Sequence, residues 1–288
     1  MKIRYIIFVL LVLALSGCKD PLEVPEPECS FGNSYIETSS RSAVMLFDID
    51  VPEGVEVFQV GVVYSTKDNP SDDPDAMSKV VRLSSSKEYS FDLTGLSPLT
   101  QYWIQPFAVH YDESVTYGDV ETFTTLAAKS LNGHEFVNLG LPSGTKWASF
   151  NACADGKSGH LIWSDASAFV KSEWGESWRL PTKADWEELM DPANCFWSWD
   201  IQNGVQGMLV KGPNGNTIFI PADGYYAKGY VLQQNEYGAY WTADAVESTP
   251  GSSWCLFFGV DFVYWNPFAQ VCGGSVRPVN NATVYDYD

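Results

Sequence analysis

Histidines, which are frequent in metal clusters and catalytic sets, are few and widely spaced in this sequence. The three histidines, His110, His134 and His160, lie far apart along the chain, so their spacing predicts neither a metal cluster nor a Ser/His/Asp catalytic set. Glu187 and Glu188 are adjacent in a helix-like segment, where neighbouring carboxylates point in different directions. We therefore expect no catalytic residues, no metal site and no cofactor, and we do not expect an enzyme.

Calcium is the one cation for which the sequence offers candidate ligands. Asp223, Asp244 and Asp261 could supply oxygen atoms to a hard cation, but acidic residues are common throughout this chain. The tripeptides Glu-Pro-Asn, Gln-Pro-Asp and Trp-Asn-Asp, which mark lectin-type calcium sites, do not occur in the sequence. A calcium requirement is left open.

Two stretches near the end of the chain, 225–237 and 262–270, are rich in aromatic residues. Both fall between segments with strand-like patterns, so we expect them to be loops. Exposed aromatic rings offer a large contact area at low entropic cost, and they stack on sugar rings or fill partner pockets. The candidate ligand-binding residues are Tyr225, Tyr226, Tyr230, Tyr264, Trp265 and Phe268. The alternative is that these rings belong to the core.

The elements that would position these residues fall into two groups. From 34 to 125 the pattern is one of short strands and turns, with 43–49 and 58–65 rich in β-branched and aromatic residues. In the second half, helices are predicted to start near Ser164 and Thr182, and strands follow. The expected fold is thus multidomain, an all-β sandwich followed by an α+β domain. The tryptophans expected in the core of the second domain are Trp147, Trp163, Trp178, Trp186, Trp241 and Trp254.

Composition supports two folded domains and argues against nucleic acid as a partner. The 288 residues include 36 acidic and 17 basic side chains, for a formal charge of −19. Affinity for phosphate backbones comes from clustered Lys and Arg, which this balance disfavours. An aromatic share of 15% is too high for a disordered acidic chain, so most of the sequence folds.

The N-terminus has the features of an export signal. Lys2 and Arg4 precede an apolar run from Ile6 to Leu15, which is too short to cross a bilayer. The following Leu15-Ser16-Gly17-Cys18 resembles the lipobox of bacterial lipoproteins, which implies a signal peptide over 1–17 and acylation of Cys18.

An acidic, Pro-rich stretch over 18–33 is expected to be an extended tether. Its acidic residues resemble the surface-export signal of Bacteroidetes-type lipoproteins. The resemblance implies a membrane partner through the lipid anchor, and an outer-membrane protein that faces the cell surface.

The first domain carries the motif Leu-Thr-Gly-Leu-Ser-Pro-Leu-Thr-Gln-Tyr at 93–102. It resembles the corner between strands E and F of fibronectin type III domains, where a tyrosine hydroxyl bonds the preceding loop. The resemblance covers 34–126 and makes Tyr102 the candidate for this tyrosine corner. Such modules are usually spacers or binding scaffolds.

The second domain carries four motifs in order, at 136–148, 178–189, 212–216 and 274–279. Among them are Trp178-Arg179-Leu180-Pro181-Thr182 and Ser275-Val276-Arg277-Pro278-Val279. Together they resemble the Fibrobacter succinogenes major paralogous domain of bacterial surface lipoproteins. The resemblance implies a C-type-lectin-like α+β fold over 133–280, with a tail at 281–288, and structural roles for Arg179 and Arg277.

The same fold resemblance raises formylglycine-generating enzymes, which use a closely spaced cysteine pair near the C-terminus. Here Cys255 and Cys272 are far apart in sequence, which disfavours that chemistry. They are instead candidates for a disulfide across neighbouring strands, although the sequence does not decide the connectivity.

We expect the chain to be a cell-surface lipoprotein that binds an extracellular glycan or protein through its C-terminal domain, for adhesion or ligand capture. The second hypothesis is a structural component of an envelope or fimbria-like assembly, and the third is an enzyme.

Overall fold

The computed structural model describes residues 28–152 and 159–282. The predicted signal peptide, the acylation site Cys18 and most of the tether lie outside the described residues. No helix in the described part of the chain is long and apolar enough to cross a membrane.

The first domain consists of eight strands and one short 3₁₀ turn. The strands are β1 (Ser30–Thr38), β2 (Ser42–Asp50), β3 (Val57–Ser65), β4 (Met77–Arg82), β5 (Glu88–Thr94), β6 (Gln101–His110), β7 (Val115–Tyr117) and β8 (Glu121–Thr124). One sheet has the order β1-β2-β5, and the other has the order β4-β3-β6-β7 with β8 also pairing with β6. This is a fibronectin type III-like β-sandwich.

The sandwich core lies between the two sheets, where Met45, Phe47, Val60 and Ile104 are fully or almost fully buried. At the corner before β6, the hydroxyl of Tyr102 accepts a hydrogen bond from the backbone N–H of Ser97 at 2.9 Å. This is the geometry of a tyrosine corner.

The first strand of the sandwich starts a few residues before position 34, the predicted start of the first domain. Strand β1 begins at Ser30, which pairs with Asp50, so the end of the predicted tether belongs to the sandwich. The physical reason is Phe31, whose ring packs edge-on against Phe47 with centroids 5.7 Å apart and draws this segment onto the sheet.

The described residues of the second domain form two helices and fifteen strands. The helices are α1 (Trp163–Trp174) and α2 (Lys183–Met190). The strands are β9 (Ser130–Leu131), β10 (His134–Asn138), β11 (Lys146–Ala148), β12 (His160–Ile162), β13 (Trp178–Arg179), β14 (Phe196–Gln202), β15 (Val205–Lys211), β16 (Thr217–Pro221), β17 (Tyr225–Ala227), β18 (Tyr230–Leu232), β19 (Gly238–Ala245), β20 (Ser252–Gly259), β21 (Phe262–Ala269), β22 (Gly273–Ser275) and β23 (Val279–Asn280).

These strands form three sheets. The largest has seven strands in the order β18-β17-β22-β19-β20-β21, with β12 pairing with β22. A five-stranded sheet has the order β13-β23-β11-β10-β9, and β14-β15-β16 form a meander.

The capping box of α2 is confirmed. The Thr182 hydroxyl accepts a hydrogen bond from the Asp185 N–H, and the Asp185 carboxylate accepts one from the Thr182 N–H. Helix α1 differs from prediction, because it starts at Trp163 and its N-cap is Ile162, which supplies no side-chain bond. The indole of Trp163 donates to the carbonyl of Thr242 at 2.8 Å, which fixes this first turn against β19.

The core of the second domain has two parts, one on each face of the seven-stranded sheet. Because side chains alternate along a strand, Trp241, Cys255 and Phe257 face α1, whereas Tyr240 and Phe258 face the side where α2 packs. Four of the six tryptophans predicted to be core residues are fully buried, namely Trp147, Trp178, Trp186 and Trp241. The other two are half-buried, namely Trp163 and Trp254.

Polar contacts join the two domains. Ion pairs link Arg41 to Glu135, Lys79 to Asp200 and Lys211 to Asp92. Hydrogen bonds link the hydroxyl of Ser39 to Asn216 and that of Thr94 to Asp200. The first domain therefore packs directly on the second.

Candidate functional site

The aromatic stretches predicted as loops are mostly strands. Residues 262–269 form β21, which pairs with β20 along its whole length, and 225–232 form the hairpin of β17 and β18. The turn of that hairpin is Lys228-Gly229, and both residues have positive φ, as a two-residue hairpin turn requires. The prediction of loops was wrong because rings that alternate with other residues are a strand pattern.

Strand pairing places the predicted binding residues on two different faces of the sheet. Tyr264 lies opposite Phe257 and shares its face with Phe262 and Phe268, whereas Trp265 lies opposite Leu256 on the other face. Tyr264 and Trp265 therefore cannot belong to one binding surface.

Five rings form a continuous layer on the first of these faces, which we call the aromatic face: Tyr225, Phe257, Phe262, Tyr264 and Phe268. The Tyr225 ring is 5.5 Å from Phe268 and 6.1 Å from Phe257, measured between centroids. Tyr264 stacks on Phe257 at 5.9 Å with an interplanar angle of 14°. Each ring is thus held in place by its neighbours.

Exposure separates the predicted residues into two groups. Tyr230, Tyr264 and Tyr226 are open to solvent, with 70%, 49% and 41% of their surface accessible. Tyr225 and Phe268 are half-buried against the core beneath them. Tyr264 is therefore the exposed ring of the aromatic face. The strand register places Tyr230 and Tyr225 on the same side of their hairpin.

Trp265 has an internal role on the opposite face. The ammonium of Lys183 lies 5.1 Å from the centroid of the Trp265 ring and 5.5 Å from that of Trp254. This arrangement satisfies the geometry of a cation–π contact. Trp265 is thus part of the packing around α2.

The predicted disulfide is absent, because both Cys255 and Cys272 are free thiols. Cys255 is completely buried on β20 with Trp241 and Asn266 as its strand partners, whereas Cys272 lies in the turn between β21 and β22. Burial raises the pKa of the Cys255 thiol well above its usual value, which keeps it unreactive at neutral pH.

The predicted structural arginines make fixed contacts. Arg179 forms a two-pronged ion pair with Asp185, with distances of 2.6 and 3.0 Å. Arg277 is buried and donates to the backbone carbonyls of Ala148 and Phe219.

Two of the three candidate calcium ligands bond protein groups, and the third, Asp261, is exposed. Asp223 accepts a hydrogen bond from Asn151, and Asp244 accepts one from the backbone N–H of Lys183. Across residues 28–152 and 159–282, no group of three or more His, Cys, Asp or Glu side chains is arranged to hold a metal ion.

A cavity between the two domains was not predicted. It has a volume of about 370 Å³, and we call it the interdomain cleft. Its lining includes Arg41, Gly95, Phe150, Asn151, Gln202, Asn203, Phe219 and Asp223. These residues come from separate segments of both domains, so no local sequence pattern could have brought them together.

A buried polar network forms one side of this cleft. The Tyr240 hydroxyl donates to the carbonyl of Pro221 at 2.8 Å and accepts from the Asn151 amide at 2.9 Å. The same amide donates to Oδ2 of Asp223 at 2.7 Å. Burial, followed by the nearby Asp223 charge, raises the pKa of Tyr240 far above its usual value, so the hydroxyl stays protonated as a donor.

Comparison with known proteins identifies no family for this chain. No family model and no curated protein matches it. Similar solved structures include the sixth fibronectin type III domain of human fibronectin type III domain containing protein 3, with 14% identity and a TM-score of 0.27 over 35% of this chain and 89% of that one.

Another is the fibronectin type III domain of human contactin 1, with 22% identity and a TM-score of 0.29 over 36% of this chain and 82% of that one. A third is OgpA from Akkermansia muciniphila, with 19% identity and a TM-score of 0.29 over 35% of this chain and 30% of that one. The assignment of the sandwich therefore rests on its strand order, because similarity at these TM-scores carries no further support.

Proposed function

We propose that this chain is a lipid-anchored protein of the outer membrane that faces the cell exterior and captures an extracellular glycan or protein through its second domain. The lipobox-like Leu15-Ser16-Gly17-Cys18 and the acidic stretch after it support the anchor and its location. The four ordered motifs, together with a mixed architecture of two helices and many strands, support a C-type-lectin-like second domain of the Fibrobacter succinogenes major paralogous type.

The observation that carries this proposal is the half-exposed ring of Tyr264 on a layer of packed aromatic side chains. A ring that its neighbours already hold in place loses little conformational entropy when a ligand binds. Its outer face is free to stack on a sugar ring or to fill a pocket of a protein partner. Tyr230 extends this surface along the neighbouring hairpin.

The test is a binding screen of the full-length chain, purified in a sugar-free detergent, against a glycan array and immobilised mucin, with and without calcium. The variants are Tyr264→Ala and Tyr230→Ala. Tyr35→Ala is the matched control, because Tyr35 is an exposed tyrosine on β1 of the first domain, with an accessible fraction between those of Tyr264 and Tyr230.

We expect binding that weakens at least about tenfold in Tyr264→Ala, since losing an interface anchor commonly costs 1.4 kcal/mol or more. The control should bind like the wild type. Absence of binding by the folded protein, or equal binding by all variants, would refute the proposal.

The second candidate is a structural role in an envelope or fimbria-like assembly. A shallow apolar groove of about 460 Å³ favours it, lined by residues that include Met190, Cys195, Trp197 and the 68%-exposed Phe196. Such a patch is typical of a contact between subunits. If the glycan and mucin screen is negative, self-association that Phe196→Ala abolishes is the result expected of this role.

An enzyme is the least favoured reading. A cavity beside a tyrosine with a shifted pKa can mark an active site. Here the shift follows from the complete burial of Tyr240, whose proton already bonds the Pro221 carbonyl. The hydroxyl is therefore a structural donor and not a base.

A further inference from the structure

The interdomain cleft is built like a site for a small ligand. Its volume of about 370 Å³ lies within the usual range for ligand pockets, and junctions between domains are a common place for them. The ion pair of Arg41 with Glu135 crosses the junction beside the cleft, with 2.9 Å between the Arg41 Nε atom and the carboxylate. The cleft walls therefore come from both domains and are held by direct contacts.

Hydrogen-bonding groups on the cleft lining are available to a ligand. Among the described residues, the Asp223 carboxylate accepts one hydrogen bond, from Asn151 to Oδ2, which leaves Oδ1 to accept another. Gln202 and Asn203 also line the cleft, and the side-chain amide of neither bonds to another residue in the described part of the chain. The lining thus offers one strong acceptor and two amides that both donate and accept.

Apolar surface faces these polar groups. Phe150 and Phe219 line the cleft, and Phe150 is 54% exposed. The guanidinium of Arg41 lies 4.6 Å from the centroid of the Phe150 ring, which limits the movement of that ring. A ligand with an apolar face and hydroxyl edges would match both kinds of surface.

The charges around the cleft favour a neutral ligand. Arg41 is paired with Glu135, and Arg277 is buried with its guanidinium bonded to two backbone carbonyls. The lining carboxylate of Asp223 repels anions, as does the overall charge of −19. Among the described residues, no cation of the lining is therefore left to attract a carboxylate or sulfate group.

We propose that the interdomain cleft binds a neutral saccharide unit, with its hydroxyl groups on Asp223, Gln202 and Asn203 and its C–H face on Phe150. Hydroxyl groups both donate and accept, which suits a carboxylate beside free amides, and the C–H face of a sugar ring packs on aromatic rings. The first domain then forms a wall of the site and is more than a spacer. This site is separate from the aromatic face.

The test is saturation-transfer difference NMR on the full-length chain in a sugar-free detergent, followed by titration. The probes are methyl glycosides of common neutral hexoses and N-acetylhexosamines, with methyl glucuronide as the anionic comparison. The variants are Asp223→Asn, which keeps the side-chain shape, and Phe150→Ala. Gln202→Ala is a third variant at the edge of the cleft, and thermal unfolding shows which variants are folded.

We expect a neutral glycoside to bind and the folded cleft variants to bind it at least about tenfold more weakly, since a charge-assisted hydrogen bond is worth that much. Tyr264→Ala should leave this binding unchanged, and Asp261→Asn is the matched control for an exposed aspartate. The proposal is overturned if no neutral glycoside binds, if the glucuronide binds better, or if the cleft variants bind like the wild type. Loss only in Tyr264→Ala would support the aromatic face and overturn the cleft.

Discussion

The aromatic face and the interdomain cleft differ in how their residues come together. The aromatic face is assembled by strands of one sheet, and three of its five rings lie on a single strand, β21. The cleft is lined by Arg41, from the connection between β1 and β2 of the first domain, and by Asp223, from the turn before β17 of the second. A site of the first kind depends on one sheet, whereas a site of the second kind depends on how two domains pack.

The largest effect should come from removing the support beneath the aromatic face. Trp241 is fully buried, and its ring lies 5.3 Å from that of Phe268 while its indole N–H donates to the carbonyl of Leu161 at 2.8 Å. Trp241→Ala should lower the free energy of unfolding of the second domain by about 3–5 kcal/mol, the cost of a large cavity. Urea unfolding followed by near-ultraviolet circular dichroism measures this loss.

The control for this prediction is Phe196→Ala, since most of the Phe196 ring is in solvent. That change should stay within about 0.5 kcal/mol, as is usual for surface positions. A loss below about 1 kcal/mol in Trp241→Ala would mean that the face does not depend on the packing beneath it.

A smaller effect is expected at the start of α2, which supports the cleft side of the sheet. Asp185 bonds Arg179 and caps the helix through Thr182, and the next residue, Trp186, packs against Tyr240 with centroids 5.6 Å apart. Asp185→Asn should cost about 2 kcal/mol, because it removes charge-assisted bonds and part of the cap. The partial exposure of Arg179 keeps the cost below that of a fully buried pair.

The same pair predicts a pH dependence. Burial raises the pKa of Asp185, but hydrogen bonds from Arg179 and Thr182 outweigh this effect and hold the pKa below its ordinary value of 3.8. The stabilisation is therefore complete above the unfolded-state pKa and is lost as the pH falls through the folded-state pKa. Unfolding curves of wild type and Asp185→Asn should converge below about pH 3.8. Glu187→Gln, which breaks a partly exposed pair on the same helix, is the control and should change the free energy of unfolding by about 0.5 kcal/mol or less.

The smallest effect on stability is expected from a substitution at the domain junction, where it also alters the lining of the cleft. Arg41→Met removes the ion pair with Glu135 and the contact with Phe150, at a cost of about 1 kcal/mol or less because both side chains are partly exposed. Calorimetry should then show the two domains unfolding in more clearly separated transitions. Lys87→Met, which breaks an exposed pair within the first domain, should leave the separation unchanged. Equal separation in both variants would show that other contacts hold the junction.

This contrast also explains what could be predicted from the sequence. The sandwich, the role of Tyr102 and the cap of α2 could be predicted because each depends on patterns of residues that lie near one another in the chain. The opposite orientations of Tyr264 and Trp265 follow from strand pairing, which was missed once their segment was assigned as a loop. The cleft could not be predicted, because domain packing brings Arg41 close to Phe150 although more than a hundred residues separate them in sequence.

The contact of Asp200 with the first domain couples the ionisation of a buried tyrosine to the packing of the two domains. Burial, followed by the charge of Asp200 across the junction and then Tyr102, raises the pKa of Tyr64 from 10.0 to about 12. If the domains part, Tyr64 loses the Asp200 charge, and its phenolate forms at lower pH. The ionisation of Tyr64 is thus linked to the packing of the two domains, so that a change in one shifts the other.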